Sequence, residues 1–165
     1  MLEVKPLLPD QWLLLKAIRL QALTDSPEAF GMTLAQAEMR TDAEWQENAR
    51  RFASLPPAAS FIACHDGVSC GMVNCFLSQE NSQVAEMTAF WVAPKHRGHG
   101  ISDALVASII GWATTQSVTM LQAWVVEDNH RAIGFYKEIG FQETGQRQPH
   151  APEPSKQIVL LAKRL

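Results

Sequence analysis

The residues best suited to binding or catalysis lie between an apolar, strand-like run that ends near Pro94 and a helix-like run that begins at Ile101. The segment between them combines three cationic or titratable side chains with two glycines: Lys95, His96, Arg97, Gly98 and Gly100. The first N–H groups of a helix lack internal acceptors, and the helix dipole adds positive partial charge there. Glycines let the backbone approach an anion closely. The sequence therefore predicts a phosphate or pyrophosphate site at this helix start.

Two common phosphate-binding patterns are absent from this segment. A Walker loop requires Gly-Lys followed by Ser or Thr, and this chain has no such sequence. A dinucleotide-binding fingerprint requires a third glycine at the position that Asp103 occupies. From these residues alone, the alternative that Gly98 and Gly100 only shape a turn stays open.

Two stretches of the chain resemble the GNAT superfamily of N-acetyltransferases. The family's pyrophosphate loop, Arg/Gln-x-x-Gly-x-Gly/Ala after a strand ending in Val-x-Pro, is similar to residues 92–102. Its second motif, Asn-x-x-Ala-x-x-Phe-Tyr ending in Gly-Phe, is similar to residues 129–141. The resemblance covers essentially the whole chain. It implies one GNAT domain over residues 1–165, an α/β fold with a mixed sheet, and the element order β-α-α-β-β-β-α-β-α-β-β.

The resemblance also implies a binding site for acetyl-coenzyme A. Backbone groups of the strand before the loop would bind the pantetheine arm, and one N–H there would polarise the thioester carbonyl. The strands that follow Met87 and Met120 would splay apart to admit this arm. The implied cofactor-binding residues are Phe90, Trp91, Val92, Arg97, Gly98, His99, Gly100, Ile101, Ser102, Asp103 and Asn129. Ser102 stands where the family has Gly or Ala, so its hydroxyl either crowds the pyrophosphate or donates to it.

Two residues are candidates for acid–base chemistry. Tyr136, the only tyrosine in the chain, occupies the position that in the family supplies a proton to the leaving thiolate; a buried core ring is the alternative. Glu86 precedes Val92 by six positions, a spacing at which some family members carry the base that deprotonates the amine. Apolar neighbours would raise the pKa of this carboxyl by desolvation. A solvated strand residue or an ion-pair partner is the alternative reading of Glu86.

The resemblance implies an N-acetyltransferase that moves an acetyl group from acetyl-coenzyme A to an amine of a small molecule or peptide by direct attack in a ternary complex. A non-catalytic acyl-coenzyme A sensor or interaction module with the same fold is the alternative, and a nucleotide-binding protein is a third. His96, His99 and His130 lack metal-ligand spacing, so we expect no metal. We expect a monomer or a homodimer.

The acceptor is only weakly indicated by the sequence. Acidic residues cluster in the first helix, the loop after it and the next helix: Asp25, Glu28, Glu38, Asp42, Glu44 and Glu47. An acidic rim would suit a cationic amine, although charged helix faces are usually only solvated. Tryptophans provide a second candidate lining, with packing as the alternative role: Trp45, Trp91 and Trp124.

Periodicity and turn residues predict the elements that position these groups. The first half of the chain is predicted to contain a strand at 2–6, a helix that Asp10 caps and that runs to about Leu23, a loop with a short helical turn at 24–40, and a helix from Thr41 to before Pro56. A hairpin of 60–65 and 68–77 around Asp66-Gly67, a strand at 83–93, a helix after Gly100 and a strand at 120–126 follow. The last elements are a helix capped by Asn129 and closed by Gly140, and strands at 141–147 and 157–162 separated by a proline-rich loop.

Composition narrows the function classes further. The 165 residues are 47% hydrophobic and 19% charged, which is typical of a globular protein. A net charge of −3 argues against a general nucleic-acid binder. No apolar run approaches the roughly 20 residues of a membrane span, and the first residues do not resemble a signal peptide. The three cysteines (Cys64, Cys70 and Cys75) form no Cys-x-x-Cys, so we expect free thiols and a cytoplasmic location.

Overall fold

The computed structural model describes residues 1–54 and 56–165, and its centre is a seven-stranded mixed sheet. The strands are β1 (Leu2–Pro6), β2 (Ala58–His65), β3 (Val68–Leu77), β4 (Val84–Val92), β5 (Met120–Val126), β6 (Gln142–His150) and β7 (Glu153–Arg164). Their spatial order is β1-β2-β3-β4-β5-β7-β6. The β4–β5 pair is parallel and the other pairs are antiparallel. The predicted mixed α/β architecture is therefore confirmed.

In the described ranges, five α-helices connect or cover these strands: α1 (Trp12–Asp25), α2 (Leu34–Glu38), α3 (Asp42–Phe52), α4 (Ile101–Thr115) and α5 (His130–Glu138). The predicted order has one helix fewer, because α2 lies where a loop with a short helical turn was expected. Capping boxes at Thr33 and Thr41 start α2 and α3. The predicted cap at Asp10 is wrong: Gln11 precedes α1 and makes no side-chain cap. Within the described residues, every helix is too short or too polar to cross a bilayer.

Helices cover both faces of the sheet around its centre. Consecutive residues of β2 and β3 are buried, which requires cover on both sides of each strand. Helix α4 contacts β1 to β4, whereas α1 and α3 contact each other and the β2–β3 region. At Gly71 of β3, an added Cβ would lie 3.1 Å from Leu105 and 3.2 Å from the Trp91 carbonyl oxygen. This close approach fixes the start of α4 beside the end of β4.

A β-bulge interrupts β4 beside the opening between β4 and β5. Thr88 pairs with Asn74, but the next pair joins Trp91 to Met72, so two β4 residues oppose one residue of β3. Ala89 within this bulge has φ of 53°, a left-handed conformation. The parallel ladder ends at the pair Met87–Ala123. Strand β4 thus separates after Met87 as expected, whereas β5 separates after Ala123 and not after Met120.

The last two strands form a longer hairpin than the sequence predicts. The expected proline-rich loop is wrong, because β6 continues to His150 and β7 begins at Glu153. Pro149 pairs with Gln157 on β6, which is an edge strand of the sheet. Pro154 precedes the part of β7 that pairs with β5. Proline is tolerated at both places because its missing N–H removes no donor from the sheet interior.

Candidate active site

A cavity of about 500 Å³ lies between the end of β4, the loop before α4, and α5. It brings together eight of the residues that the sequence predicts for the site: Phe90, Trp91, Val92, Arg97, Gly98, Ser102, Asn129 and Tyr136. The other predicted residues do not line this cavity. They are Glu86, His99, Gly100, Ile101 and Asp103.

The start of α4 presents main-chain donors. Gly98 and Gly100 have φ of 79° and 78°, and Gly100 precedes the helix without a side-chain cap. In the part of the chain that the structure describes, the N–H groups of residues 101–103 have no hydrogen-bond acceptor. The side chain of Ile101 is only 1% exposed and belongs to the core, so the backbone is what this residue offers. The side chains of His99 and Asp103 are exposed to solvent.

Arg97 holds the loop to the end of β4 and to the end of α1. Its Nε donates to the Val92 carbonyl oxygen at 2.9 Å, and Nη2 lies 2.8 Å from Oδ2 of Asp25. The same Oδ2 accepts a hydrogen bond of 2.9 Å from the Trp91 indole. Burial alone would raise the pKa of Asp25, but the hydrogen bonds from Trp91 and Ser26, with the charge of Arg97, lower it. Asp25 is thus a fixed anion within the cavity wall.

The backbone of Val92 faces the gap between β4 and β5. The N–H of the following residue, Ala93, donates to the Cys70 carbonyl of β3 at 2.7 Å. Because successive residues of a strand direct their N–H and C=O groups to alternate sides, those of Val92 point away from β3. Strand β5 has already diverged at this level, so the Val92 N–H is available to a bound molecule.

Tyr136 reaches the cavity from α5 through a cluster of aromatic rings. Its ring centroid lies 5.0 Å from that of Phe141, 5.9 Å from Phe135 and 6.0 Å from Phe90. The residue is 5% exposed, and burial raises the pKa of its hydroxyl well above the ordinary value. The hydroxyl makes no hydrogen bond with the described residues. At the start of the same helix, Asn129 Oδ1 accepts from the Ala132 N–H at 3.2 Å.

A second cavity, of about 420 Å³, lies on the other side of the β4 bulge. Glu86, Ala89 and Trp124 line it, and Ala29 lines both cavities. Burial raises the pKa of the Glu86 carboxyl, and the neighbouring Trp124 indole offsets part of that increase. Glu86 and Tyr136 therefore stand in adjoining cavities on opposite sides of the bulge.

The acidic cluster does not form a rim around the second cavity. Asp25 and Glu28 line the first cavity instead. The side chain of Glu44 caps α3, Glu47 pairs with Arg50, and Asp42 lies 3.6 Å from Lys16. Asp42, Glu44 and Glu47 therefore serve a helix start and exposed ion pairs, which accounts for their clustering without a ligand.

Of the three tryptophans, Trp124 lines the second cavity, whereas Trp45 is buried in the core and Trp91 bonds Asp25. Arg19, which lines the second cavity from α1, was not predicted from the sequence. A single arginine on an amphipathic helix normally belongs to the solvated face.

Among residues 1–54 and 56–165, no three His, Cys, Asp or Glu side chains converge as metal ligands would.

Comparison with known proteins agrees with this architecture. Residues 20–141 match the family model of the acetyltransferase (GNAT) family. The chain is 36% identical over 88 residues to an uncharacterized N-acetyltransferase of Methanocaldococcus jannaschii, covering 50% of this chain and 39% of that protein. It is 30% identical over 128 residues to the L-amino acid N-acetyltransferase AaaT of Escherichia coli, covering 76% of each. The chain thus spans well under half of the archaeal relative.

Solved structures share the fold over nearly the full chain. The acetyltransferase of the GNAT family from Streptococcus pneumoniae superposes with a TM-score of 0.85 at 20% identity, covering 100% of this chain and 99% of that one. The structure of yncA from Salmonella typhimurium, with its cofactor acetyl-CoA, gives a TM-score of 0.80 at 14% identity, covering 100% and 94%. The resemblance seen in two sequence motifs is confirmed, and this chain belongs to the GNAT family of acetyltransferases.

Proposed function

We propose that this chain transfers an acetyl group from acetyl-coenzyme A to an amine of a small molecule or peptide, by direct attack within a ternary complex. The observation that carries the proposal is the pair of cavities that adjoin at the β4 bulge. One is lined by a buried tyrosine whose hydroxyl has no hydrogen-bond partner among the described residues, and the other contains a carboxyl with a raised pKa. Such an acid and base on either side of one point suit acyl transfer to an amine.

The first cavity would hold the coenzyme. The free N–H groups at the start of α4 bind the pyrophosphate, and the left-handed Gly98 and Gly100 leave room for it. The Ser102 hydroxyl lines the same cavity and adds a donor. Arg97, already held by Asp25 and Val92, fixes the loop and contributes positive charge. His99, Ile101 and Asp103 contribute through their main chain, because their side chains are exposed or in the core.

The gap between β4 and β5 would hold the pantetheine arm. Here the backbone of Phe90, Trp91 and Val92 provides a free strand edge, and the Val92 N–H faces the gap. A fixed N–H at this edge stabilises the oxyanion that develops on the thioester carbonyl. Asn129 uses Oδ1 to cap α5, which leaves its amide nitrogen free to donate to the arm.

Glu86 and Tyr136 would move the two protons. Glu86 accepts a proton from the amine, since a neutral nitrogen is needed for attack on the carbonyl carbon. Burial moves the pKa of this carboxyl toward neutral pH and makes its ionised form a better base. As the carbon–sulfur bond breaks, the Tyr136 hydroxyl donates a proton to the thiolate. Its raised pKa keeps the phenol protonated at any pH at which the enzyme would work. Exchange with solvent then removes the proton that Glu86 received and returns one to Tyr136, so that both residues regain their starting forms.

Turnover of acetyl-coenzyme A across a panel of amines tests the proposal. We expect release of the coenzyme A thiol, with the acetylated amine detected by mass spectrometry, for at least one class among amino acids, polyamines, aminoglycosides and peptides with free N-termini. Acetyl-coenzyme A alone should raise the melting temperature, because it binds only the folded state. Stabilisation without acetylation of any amine would instead indicate a non-catalytic acyl-coenzyme A-binding module.

A further inference from the structure

The second cavity contains an arginine without a carboxylate partner. Arg19 projects from α1 into the cavity lining. Its Nε is fully enclosed and has no hydrogen-bond partner in the part of the chain that the structure describes. Its Nη2 approaches only the Met32 sulfur, at 3.6 Å, and its Cζ lies 5.1 Å from the centroid of the Phe30 ring. Within the described residues, no Asp or Glu oxygen lies within 4.0 Å of the guanidinium. A thioether is a weak acceptor, so the donors of Arg19 are poorly satisfied.

An unpaired guanidinium in such a place is costly. Burial lowers the pKa of Arg19 to about 10, and the nearby positive charge of Arg40 adds to this effect. Arg19 is still protonated at neutral pH, so a full positive charge remains in the cavity wall. Enclosed charges in proteins are normally paired with an opposite charge. In the coenzyme cavity, Arg97 has this partner in Asp25. Among the described residues, the second cavity provides no such partner within 4.0 Å of the Arg19 guanidinium.

The rest of the second cavity combines apolar walls with polar side chains, which are those of Glu86, Thr88, Gln148 and His150. Phe30, Met32, Trp124 and Ile158 contribute apolar walls, while Glu86 places a carboxyl in the same cavity. One cation, one potential base and apolar walls within about 420 Å³ match a small molecule. That molecule would carry an anionic group for Arg19, an amine for Glu86 and an apolar body.

We infer that the acceptor is an α-amino acid with an apolar side chain, and that Arg19 binds its carboxylate through charge-assisted hydrogen bonds while Glu86 receives the proton of its amine. This inference rests on the proposed acetyl transfer. An α-amino acid places amine and carboxylate on one carbon, so both fit within a single small cavity. The N-terminal amine of a peptide has no carboxylate beside it, so the same site disfavours a peptide.

Matched pairs of substrates test this assignment. L-leucine, L-methionine and L-phenylalanine are each compared with the corresponding amide and with a dipeptide that begins with the same residue. We expect wild-type kcat/KM to favour the free acid about tenfold or more, because a hydrogen-bonded carboxylate would satisfy the half-buried charge of Arg19. The amide has a less basic amine, so more of it is neutral at pH 7. A preference for the acid therefore cannot arise from amine basicity.

Variants of Arg19 then connect the preference to this residue. Arg19→Gln should raise KM for the acids about tenfold or more, with a smaller effect on kcat, and leave the amides unchanged or improved. Arg19→Lys should restore part of the preference, since it keeps a charge but loses the planar fork. Arg40→Gln is the matched control: it removes the neighbouring arginine, which stacks on Trp45 outside the cavity lining, and should keep the preference.

Binding measurements separate this inference from the proposed function. Calorimetric titration of each acid and amide into the wild-type protein saturated with coenzyme A reports the Arg19 contact without any turnover. Acids that bind about tenfold more tightly than amides would support the contact even if no amine were acetylated. The inference is overturned if wild type treats acids and amides alike, if the acids neither bind nor react, or if Arg19→Gln keeps the preference. Stabilisation of Arg19→Gln by acetyl-coenzyme A would verify that the variant is folded.

Discussion

The two cavities of this protein are built in different ways. The cavity that we propose for the coenzyme (the coenzyme side) uses a continuous segment, in which residues 97–103 form a loop and a helix start and offer mainly backbone donors. The cavity that we propose for the acceptor (the acceptor side) takes side chains from four distant elements: Arg19 of α1, Glu86 of β4, Trp124 of β5 and His150 of β6. A site made of consecutive backbone groups leaves a pattern in the sequence. A site assembled by topology leaves isolated residues, which become meaningful only when the sheet order is known.

The two cavities also shift the pKa of a carboxyl in opposite directions. Asp25, on the coenzyme side, receives hydrogen bonds from Trp91 and Arg97, and its pKa is lowered. Glu86, on the acceptor side, is desolvated with little compensation, and its pKa is raised. The first arrangement stabilises a permanent anion that holds structure together. The second arrangement disfavours the ionised carboxyl in the folded state, which suits the proton exchange that we propose for Glu86.

The largest expected effect is that of Glu86→Gln, which keeps the shape of the side chain and removes its basicity. We expect kcat/KM to fall roughly 10²-fold or more near neutral pH. Wild-type activity should rise with pH through one ionisation of the free enzyme, at a pKa above the ordinary glutamate value of 4.5. That ionisation should vanish in the variant. The loss should also shrink at high pH, where more of the amine arrives neutral.

Glu86→Gln is expected to increase the stability of the fold although it lowers activity. A carboxyl whose pKa is raised in the folded state contributes stability below its unfolded pKa and loses that contribution as pH rises through the folded pKa. Glu86→Gln should therefore melt higher than wild type at pH 7 to 8, and this difference should disappear near pH 4.

For activity, a Glu86→Gln variant with the wild-type pH–rate profile would remove Glu86 from the mechanism, while the proposed coenzyme site would be unaffected.

Tyr136→Phe is expected to lower kcat about 10²-fold, at the lower end of the range for general acid catalysis, because a thiolate is already a good leaving group. The four-ring cluster should survive, since phenylalanine fills the same space and the lost hydroxyl makes no hydrogen bond with the described residues. Affinity for acetyl-coenzyme A and melting temperature should stay close to wild type. Unchanged turnover under conditions where chemistry limits the rate would contradict the assignment.

Features set by residues that are neighbours in the chain could be predicted from the sequence, whereas features set by distant contacts could not. The β2–β3 hairpin was predictable because Asp66 and Gly67 supply the two positive φ angles of its turn, at 50° and 81°. Helix α4 and its glycine loop were predictable for a similar, local reason. The bulge at Ala89 was not, because an alanine in the left-handed region has no sequence signature.

Two residues, Pro149 and Asp25, were assigned to the wrong environment from the sequence. Pro149 was interpreted as a loop residue, but the edge position of β6, which only the sheet order reveals, makes proline acceptable there. Asp25 was placed with an acidic acceptor rim, whereas its partners Trp91 and Arg97 lie 66 and 72 positions further along the chain. In both cases the decisive neighbours are distant in sequence.

Gly100→Val tests whether the coenzyme site depends on backbone conformation. A β-branched residue at φ of 78° is strained, so the loop should shift and displace the N–H groups at the start of α4. We expect acetyl-coenzyme A to bind tenfold or more weakly and to lose most of its stabilising effect on melting temperature. Gly145→Val is the matched control, because Gly145 has φ of 85° and open space around it in the distant β6 strand. A full thermal shift in Gly100→Val would place the coenzyme elsewhere.

The smallest expected effect concerns Asp25→Asn, which tests whether the coenzyme-side carboxylate is structural. The Asn oxygen can still accept from Trp91, so the main loss is the charge that pairs with Arg97. Both side chains are about a quarter exposed, at 25% and 28%, so solvent screening limits the loss of stability to about 1 kcal/mol or less. A carboxyl with a lowered folded pKa contributes stability above its unfolded pKa and loses it as pH falls through the folded value.

The deficit of Asp25→Asn should therefore be full at pH 6 to 7 and disappear as the pH falls below the ordinary aspartate value of 3.8, which denaturant unfolding at several pH values can measure. Glu47→Gln is the control, because it removes an ion pair of similar length, 2.9 Å, that is largely exposed and should change stability less. Affinity for acetyl-coenzyme A should fall by less than tenfold, since Arg97 keeps its bond to the Val92 carbonyl. A loss of turnover as large as that of Glu86→Gln, with coenzyme binding intact, would mean that Asp25 takes part in the chemistry and that the two carboxylates are not divided between structure and proton transfer.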